Sequence, residues 1–287
     1  MCSERTDNPA LRCAAVAPRV RQHWSLDSID WSAVQSDAAE ESDAFIFLVA
    51  AASFVESATD RYTANLMSQF RGDDEITAWL HQQWLPEELQ HGHALRRYVQ
   101  IAWPNFDWDR VYDAFLDEFS GYCDADELEP TRAREMASRC VVELGTAGYY
   151  MTLGRMSRDP ALTTIALRIA EDEIRHYKHF YRYFRRYQEI EPESRFAIFK
   201  ALLNRLRMID RQDGIIALKH VYAGVHPGQP FDRGRYRTLR RNSRSLIRVN
   251  FPHRMCAQML LKPLGLGPRT RRIALPLTMA LARWVAT

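Results

Sequence analysis

Twice in this chain a glutamate precedes a histidine by three positions: Glu88 and His91 in "WLPEELQHGH", Glu173 and His176 in "EDEIRHY". On an α-helix that spacing sets the two side chains next to one another on one face. With nine histidines, such pairs can arise by chance, and a salt-bridged helix surface would also carry them. Their setting is the stronger constraint. Glu56 lies in the apolar run "AAASFVESA" and Glu143 in "CVVELGTAGYY", so the distance to the next Glu-x-x-His pair is 32 residues in one case and 30 in the other. A charged glutamate in an apolar helix stripe is costly unless paired or metal-bound. One Glu from each of two helices, with a Glu-x-x-His from each of two others, builds a carboxylate-bridged dinuclear site inside a four-helix bundle. Four carboxylates and two imidazoles suit iron or manganese better than copper(I) or a structural zinc. Their charges also balance two divalent ions.

The rest of the sequence fits an all-α fold. Helical periodicity is frequent and alternating β patterns are hard to find. The pattern predicts helices over about 41 to 70, 74 to 103, 108 to 122 and 131 to 157, then one starting with Asp159 as N-cap and Pro160 in its first turn and reaching about 188. Pro86 should kink the second or loosen its hydrogen bonding. Gly145 and Gly148 interrupt the 131–157 helix and read as points of close helix packing. The expected organisation is an irregular segment over 1–40, a four-helix bundle over 41–190, and a basic, mostly helical extension over 191–287 with a loop at 224–232.

Charge is divided unevenly along the 287 residues. From Arg195 onward there are 19 Lys or Arg and 3 acids, and no acid follows Asp232; the first 194 residues hold the other 20 basic and 33 acidic side chains. A basic arm implies an anionic partner or a solvated arginine surface. An acidic carrier protein and a peripheral membrane contact through "IALPLTMALARWV" are both compatible. Nucleic acid is disfavoured, because no reader motif appears. Five scattered cysteines without a Cys-x-x-Cys pair suit a reducing compartment. The polar N-terminus and the shortness of the longest strongly apolar run, residues 45–55, lead us to expect a soluble, cytoplasmic protein.

At these motifs the chain resembles the ferritin-like di-iron proteins, and most of all the soluble acyl-carrier-protein desaturases, over about residues 20 to 190. "WLPEELQHG" resembles that family's second-helix motif and assigns Trp84, Glu88 and His91. "DEIRH" resembles its fourth-helix motif, giving Asp172, Glu173 and His176. "ELGT" is similar to a bridging Glu followed by a Thr near the oxygen site, hence Glu143 and Thr146, and "ESATDRY" supplies Glu56 and Tyr62. "HWSLDSIDW" resembles the segment whose Trp is hydrogen-bonded toward the metal, here Trp24. Pro86, a short gap between the first two helices and the basic C-terminal third depart from the family pattern.

The resemblance implies two iron ions (a manganese–iron pair is the variant) that reduce dioxygen to an oxidant of C–H bonds. Electrons must come from outside, from a ferredoxin-type reductant, since no flavin, nicotinamide or iron–sulfur motif is present. A homodimer is a further expectation. A metal-bound histidine usually donates its second N–H to a carboxylate. Asp172 is the expected acceptor for His91, with Trp24 beyond it; the alternative is a surface aspartate. The Thr146 hydroxyl faces either an oxygen species or its own backbone. Tyr150 reads as a core tyrosine, His81, His93 and His179 as surface or rim residues, and Glu87 and Glu171 as pointing away from the metal face. Three functions stay open: a desaturase of a carrier-bound acyl chain, a di-iron oxygenase (N-oxygenating, hydroxylating or aldehyde-deformylating) on a free small molecule, and a non-catalytic or ferroxidase role.

Overall fold

Helical periodicity becomes helix throughout the computed structural model, which describes residues 23–35, 43–123, 128–209 and 213–285; no strand occurs among them. Most of the segment expected to be irregular, 1–22 and 36–40, lies outside the described residues, as does part of the acidic turn near 124–127. Between them, short 3-10 turns at Leu26–Ser28 and Trp31–Ala33 lead the chain onto the bundle. There Arg97 covers the Trp31 ring at 4.4 Å, and the Gln35 amide donates to Asp159 at 2.7 Å.

The helices are α1 Asp43–Ser57, α2 Asp60–Gln69, α3 Asp74–Trp79, α4 Leu85–Ala102, α5 Trp108–Cys123, α6 Arg132–Met156 and α7 Pro160–Ile190. The single helix expected over 41–70 is thus two pieces, broken at Ala58–Thr59. The break comes just where α4 approaches: a Cβ on Gly92 would stand 2.6 Å from Ser57 Oγ and 2.8 Å from its amide nitrogen. The helix expected over 74–103 is interrupted by a π-helical turn, Leu80–Trp84, in which the Leu85 amide donates to the Leu80 carbonyl five residues back. Pro86 explains the interruption, because it has no N–H to give to the carbonyl four residues earlier. In the helix that follows, Glu88 and His91 are buried.

The start of α7 follows its signal: the Asp159 carboxylate accepts the amides of Ala161 and Leu162 at 2.8 and 3.0 Å. Helices α6 and α7 pack along their length as a hairpin, and α1 packs on α4. Two apolar clusters fill this bundle. One runs through Phe47, Phe54, Leu95, Phe115, Leu153 and Ile169, the other through Leu66, Leu80, Met136, Val141, Phe180 and Tyr187. The six metal-ligand candidates belong to neither and form a polar layer between them.

The chain continues as α8 Arg195–Ile209, α9 Asp213–Val225, α10 Arg233–Asn250, α11 His253–Leu261 and α12 Pro268–Val285. Helices α8 and α11 lie on α6, α9 on α1 and α5, and α12 on α11. The close packing expected at Gly148 is with α11 and with Phe251, the residue after α10: a Cβ there would meet the Phe251 ring at 2.5 Å and Cys256 Sγ at 2.9 Å. Among the described residues no helix is long and apolar enough to cross a membrane.

Candidate metal centre

Four helices deliver the six candidates to one place. Glu56 comes from the end of α1, Glu88 and His91 from the first turns of α4, Glu143 from the middle of α6, and Glu173 and His176 from the middle of α7; all are buried. They form two groups, Glu56–Glu88–His91–Glu173 and Glu88–Glu143–Glu173–His176, each with one donor atom per residue and all such atoms within 4.8 Å of one another. The shared pair is therefore Glu88 and Glu173. Glu143, which the resemblance makes a bridging residue, belongs to one group only, as Glu56 does to the other.

Histidine orientation bears on what the cluster could hold. His91 Nε2 is 2.9 Å from Asp172 Oδ2, and His176 Nε2 is 2.7 Å from Glu87 Oε2. An ionised carboxylate only accepts, so each Nε2 carries a proton, and whenever the ring is neutral its lone pair lies at Nδ1. Those lone pairs face more oxygen. His91 Nδ1 is 3.3 Å from Glu173 Oε1 and 3.8 Å from Glu56 Oε2, while His176 Nδ1 is 3.0 Å from Glu88 Oε1 and 3.4 Å from Glu143 Oε2. Both Nδ1 atoms, with Glu143 Oε2 and Glu173 Oε1, are buried without a hydrogen-bond partner. Lone pairs converging in a dry interior repel unless cations lie between them, and two divalent ions fit this donor set in number, type and charge.

The acid–base behaviour of the cluster points the same way. Burial, reinforced by the Glu173 charge, pushes Glu143 up to about 8 and Glu88 well above the usual carboxylate range. For both histidines burial works against the proton, but the surrounding carboxylates outweigh it and raise the imidazoles. In Asp172 burial is overcome by the hydrogen bonds from His91 and Trp24 and by the Arg175 charge, so its carboxyl falls to about 2. Without cations, protons must hold this site together.

Around the six, Asp172 is the hub expected of it. Its Oδ2 accepts from both His91 and the Trp24 indole, the latter at 2.8 Å, and its Oδ1 pairs with Arg175. Thr146 has one proton and three acceptors in reach: Glu173 Oε2 at 2.5 Å, and its own helix's carbonyls at Glu143 and Val142 at 3.1 and 3.2 Å. Trp84 is buried against His176, ring centroids 6.5 Å apart, and its indole N–H has no hydrogen-bond partner. Tyr62 donates to Thr59 at 3.3 Å, one turn beyond Glu56. His81 and His93 are exposed and His179 stacks half-buried on Trp79.

Three residues have more to do here than their sequence context suggested. Glu87 does not point away: it is buried and holds His176 as Asp172 holds His91. The signal was present, since Glu87 stands to Glu88 as Asp172 does to Glu173, and in both cases the first acid reaches the histidine of the other helix. Arg175 pairs with Asp172 and lies 3.7 Å from Glu87, touching both supports. Tyr150 donates to Glu56 Oε1 at 2.5 Å, so this buried tyrosine fixes one oxygen of a candidate ligand.

No curated protein matches the chain. The sequence model of the fatty acid desaturase family matches residues 21–211, from just before Trp24 through the whole four-helix cluster. That match covers most of the chain, and the protein belongs to the fatty acid desaturase family.

Proposed function

We propose that the protein is an oxygen-dependent di-iron desaturase that converts a saturated fatty-acyl chain to an alkene. The observation that carries this reading is the pair of buried histidine lone pairs aimed into four carboxylates. Iron would be held at one position by Glu56 and His91, at the other by Glu143 and His176, with Glu88 and Glu173 between them. When bound, the ions supply the redox couple that protein side chains lack for attack on an unactivated C–H bond. The overall change removes two hydrogens from adjacent carbons; with two electrons and two protons from an external donor of the ferredoxin type, dioxygen leaves as two waters.

The chain's own residues do the rest. Asp172 and Glu87 keep the protons on Nε2 and hence the lone pairs on Nδ1. Thr146 and Tyr150 each donate to a carboxylate oxygen, fixing how Glu173 and Glu56 present themselves. The apolar clusters on either side exclude water and offer a greasy chain its surroundings. The arginines of α10 are an apt landing site for an acidic carrier of the acyl chain.

The test is iron analysis and product analysis of the same preparation. Two iron ions per chain and a mass loss of two hydrogens from an acyl substrate, on addition of dioxygen and reductant, are expected. Insertion of an oxygen atom into a free amine or small acid would replace the desaturase reading with an oxygenase. Glu88→Ala, which removes a carboxylate shared by both groups, should lose both ions; a full metal count in that variant would remove the basis of the reading.

A further inference from the structure

The last helix has an unpartnered face. α12 rests on α11, yet Ile273, Pro276, Leu277 and Ala280, at the three- and four-residue spacing of one helix side, are exposed. Ile273 and Leu277 each leave 66% of their surface in water, which an aliphatic stripe at the edge of a folded protein does not do without a reason. At the start of the same helix Arg269, Arg271 and Arg272 are exposed as well, and its first turn has no acid. Cations at a helix N-terminus oppose the helix dipole, so this placement weakens the helix unless anions gather there. Pro276, on the exposed side, has no N–H for the Arg272 carbonyl one turn back.

We propose that this face of α12 lies on an anionic lipid surface, with its arginines among headgroup phosphates and its aliphatic stripe at the acyl boundary. Cationic residues beside a short apolar stripe, on a helix that does not span, are what such a surface selects. A second copy meeting it symmetrically, α12 against α12, is a poorer occupant, because nothing from Arg233 onward is acidic and the arginines would find no partner there. A protein partner is also a poorer fit, since Ile, Pro, Leu and Ala offer it no hydrogen bonds and protein interfaces carry roughly one per 100–200 Å².

The experiment uses the full-length, metal-loaded protein and flotation with vesicles of phosphatidylcholine alone or mixed with phosphatidylglycerol. Binding to the anionic vesicles is expected to be about ten-fold tighter or more, and to weaken as salt rises. Ile273→Asp with Leu277→Asp should abolish flotation while helix content and metal count stay as in wild type. If that variant does not fold, Arg269→Gln with Arg271→Gln and Arg272→Gln should lower binding toward that of neutral vesicles. Equal binding to both vesicle types, or a folded aspartate variant that floats like wild type, overturns the proposal. So does a wild-type dimer that the aspartates dissolve without any change in flotation. Because the readout is flotation, its failure leaves the desaturase reading untouched, and loss of that reading leaves this one standing.

Discussion

Histidine is a metal ligand through one nitrogen only, and what the other nitrogen touches decides which. His91 and His176 are each fixed by an acid adjacent to a shared glutamate on the facing helix, Asp172 for one and Glu87 for the other. The two supports should therefore be comparable in consequence. Asp172→Asn and Glu87→Gln are each expected to weaken metal affinity by about 10- to 100-fold while leaving the fold intact, read by metal titration with circular dichroism alongside. An effect in the first and none in the second would mean that Glu87 only fills space. Protons compete with the ions for the same atoms. Glu143 sits at about 8 in the metal-free protein, so below that pH it is protonated and a cation must displace the proton. Apparent affinity should fall as pH drops from 8 to 6, by about ten-fold per unit or more, since Glu88 and both histidines are raised as well, with proton release on loading. A flat profile would contradict the buried, mutually repelling carboxylates described above.

Helix contacts position these residues, and glycine sets one of them. Gly92 follows His91, Ser57 follows Glu56, and a Cβ at 92 would stand 2.6, 2.8 and 2.9 Å from Ser57 Oγ, N and Cα. Two of those atoms are backbone, so α1 would have to move. Gly92→Ala should cost about 1–3 kcal/mol in denaturant unfolding, and it should also weaken metal binding by withdrawing Glu56 from His91. Gly121→Ala, at an exposed position of α5 where nothing lies within 4 Å of the new methyl, is the control. It should be neutral or stabilising by up to about 1 kcal/mol. Equal behaviour of the two variants would show that the Gly92 contact has no part in assembling the centre.

Over the whole molecule, acids dominate the part of the chain that holds the candidate centre and arginines the C-terminal helices, so an acidic acyl carrier would be steered to the latter. On α10, Arg235, Arg237 and Arg241 are exposed, while Arg240 and Arg244 are half-buried. Activity on a carrier-bound acyl chain is expected to fall between low and physiological salt, where the screening length shrinks to about 8 Å. Reversing Arg235, Arg237 and Arg241 to Glu should raise KM several-fold more than it lowers kcat. Oxidation of a free fatty acid at the same rate, without salt dependence, would leave the α10 arginines without that role.

Legibility followed the range of the interactions. Residue type and helical spacing act locally, so Glu56, Glu88, His91, Glu143, Glu173 and His176 could be picked out from two similar runs of sequence, and Asp159–Pro160 marked the start of α7. Pro86 announced a disturbance in the same way, because a missing N–H is a property of the residue itself. Which carboxylates fall in both groups could not be read so, since that depends on where four helices meet. The break after Ser57 and the inward turn of Glu87 were likewise hidden. Each depends on a helix remote in sequence, α4 in one case and α7 in the other, and a one-dimensional pattern records no such approach. The sequence by itself determined which atoms were available to bind a cation. Only tertiary packing decided which of their lone pairs would be left facing one another, because the buried acids that hold each Nε2 proton come from a different helix than the histidine they hold.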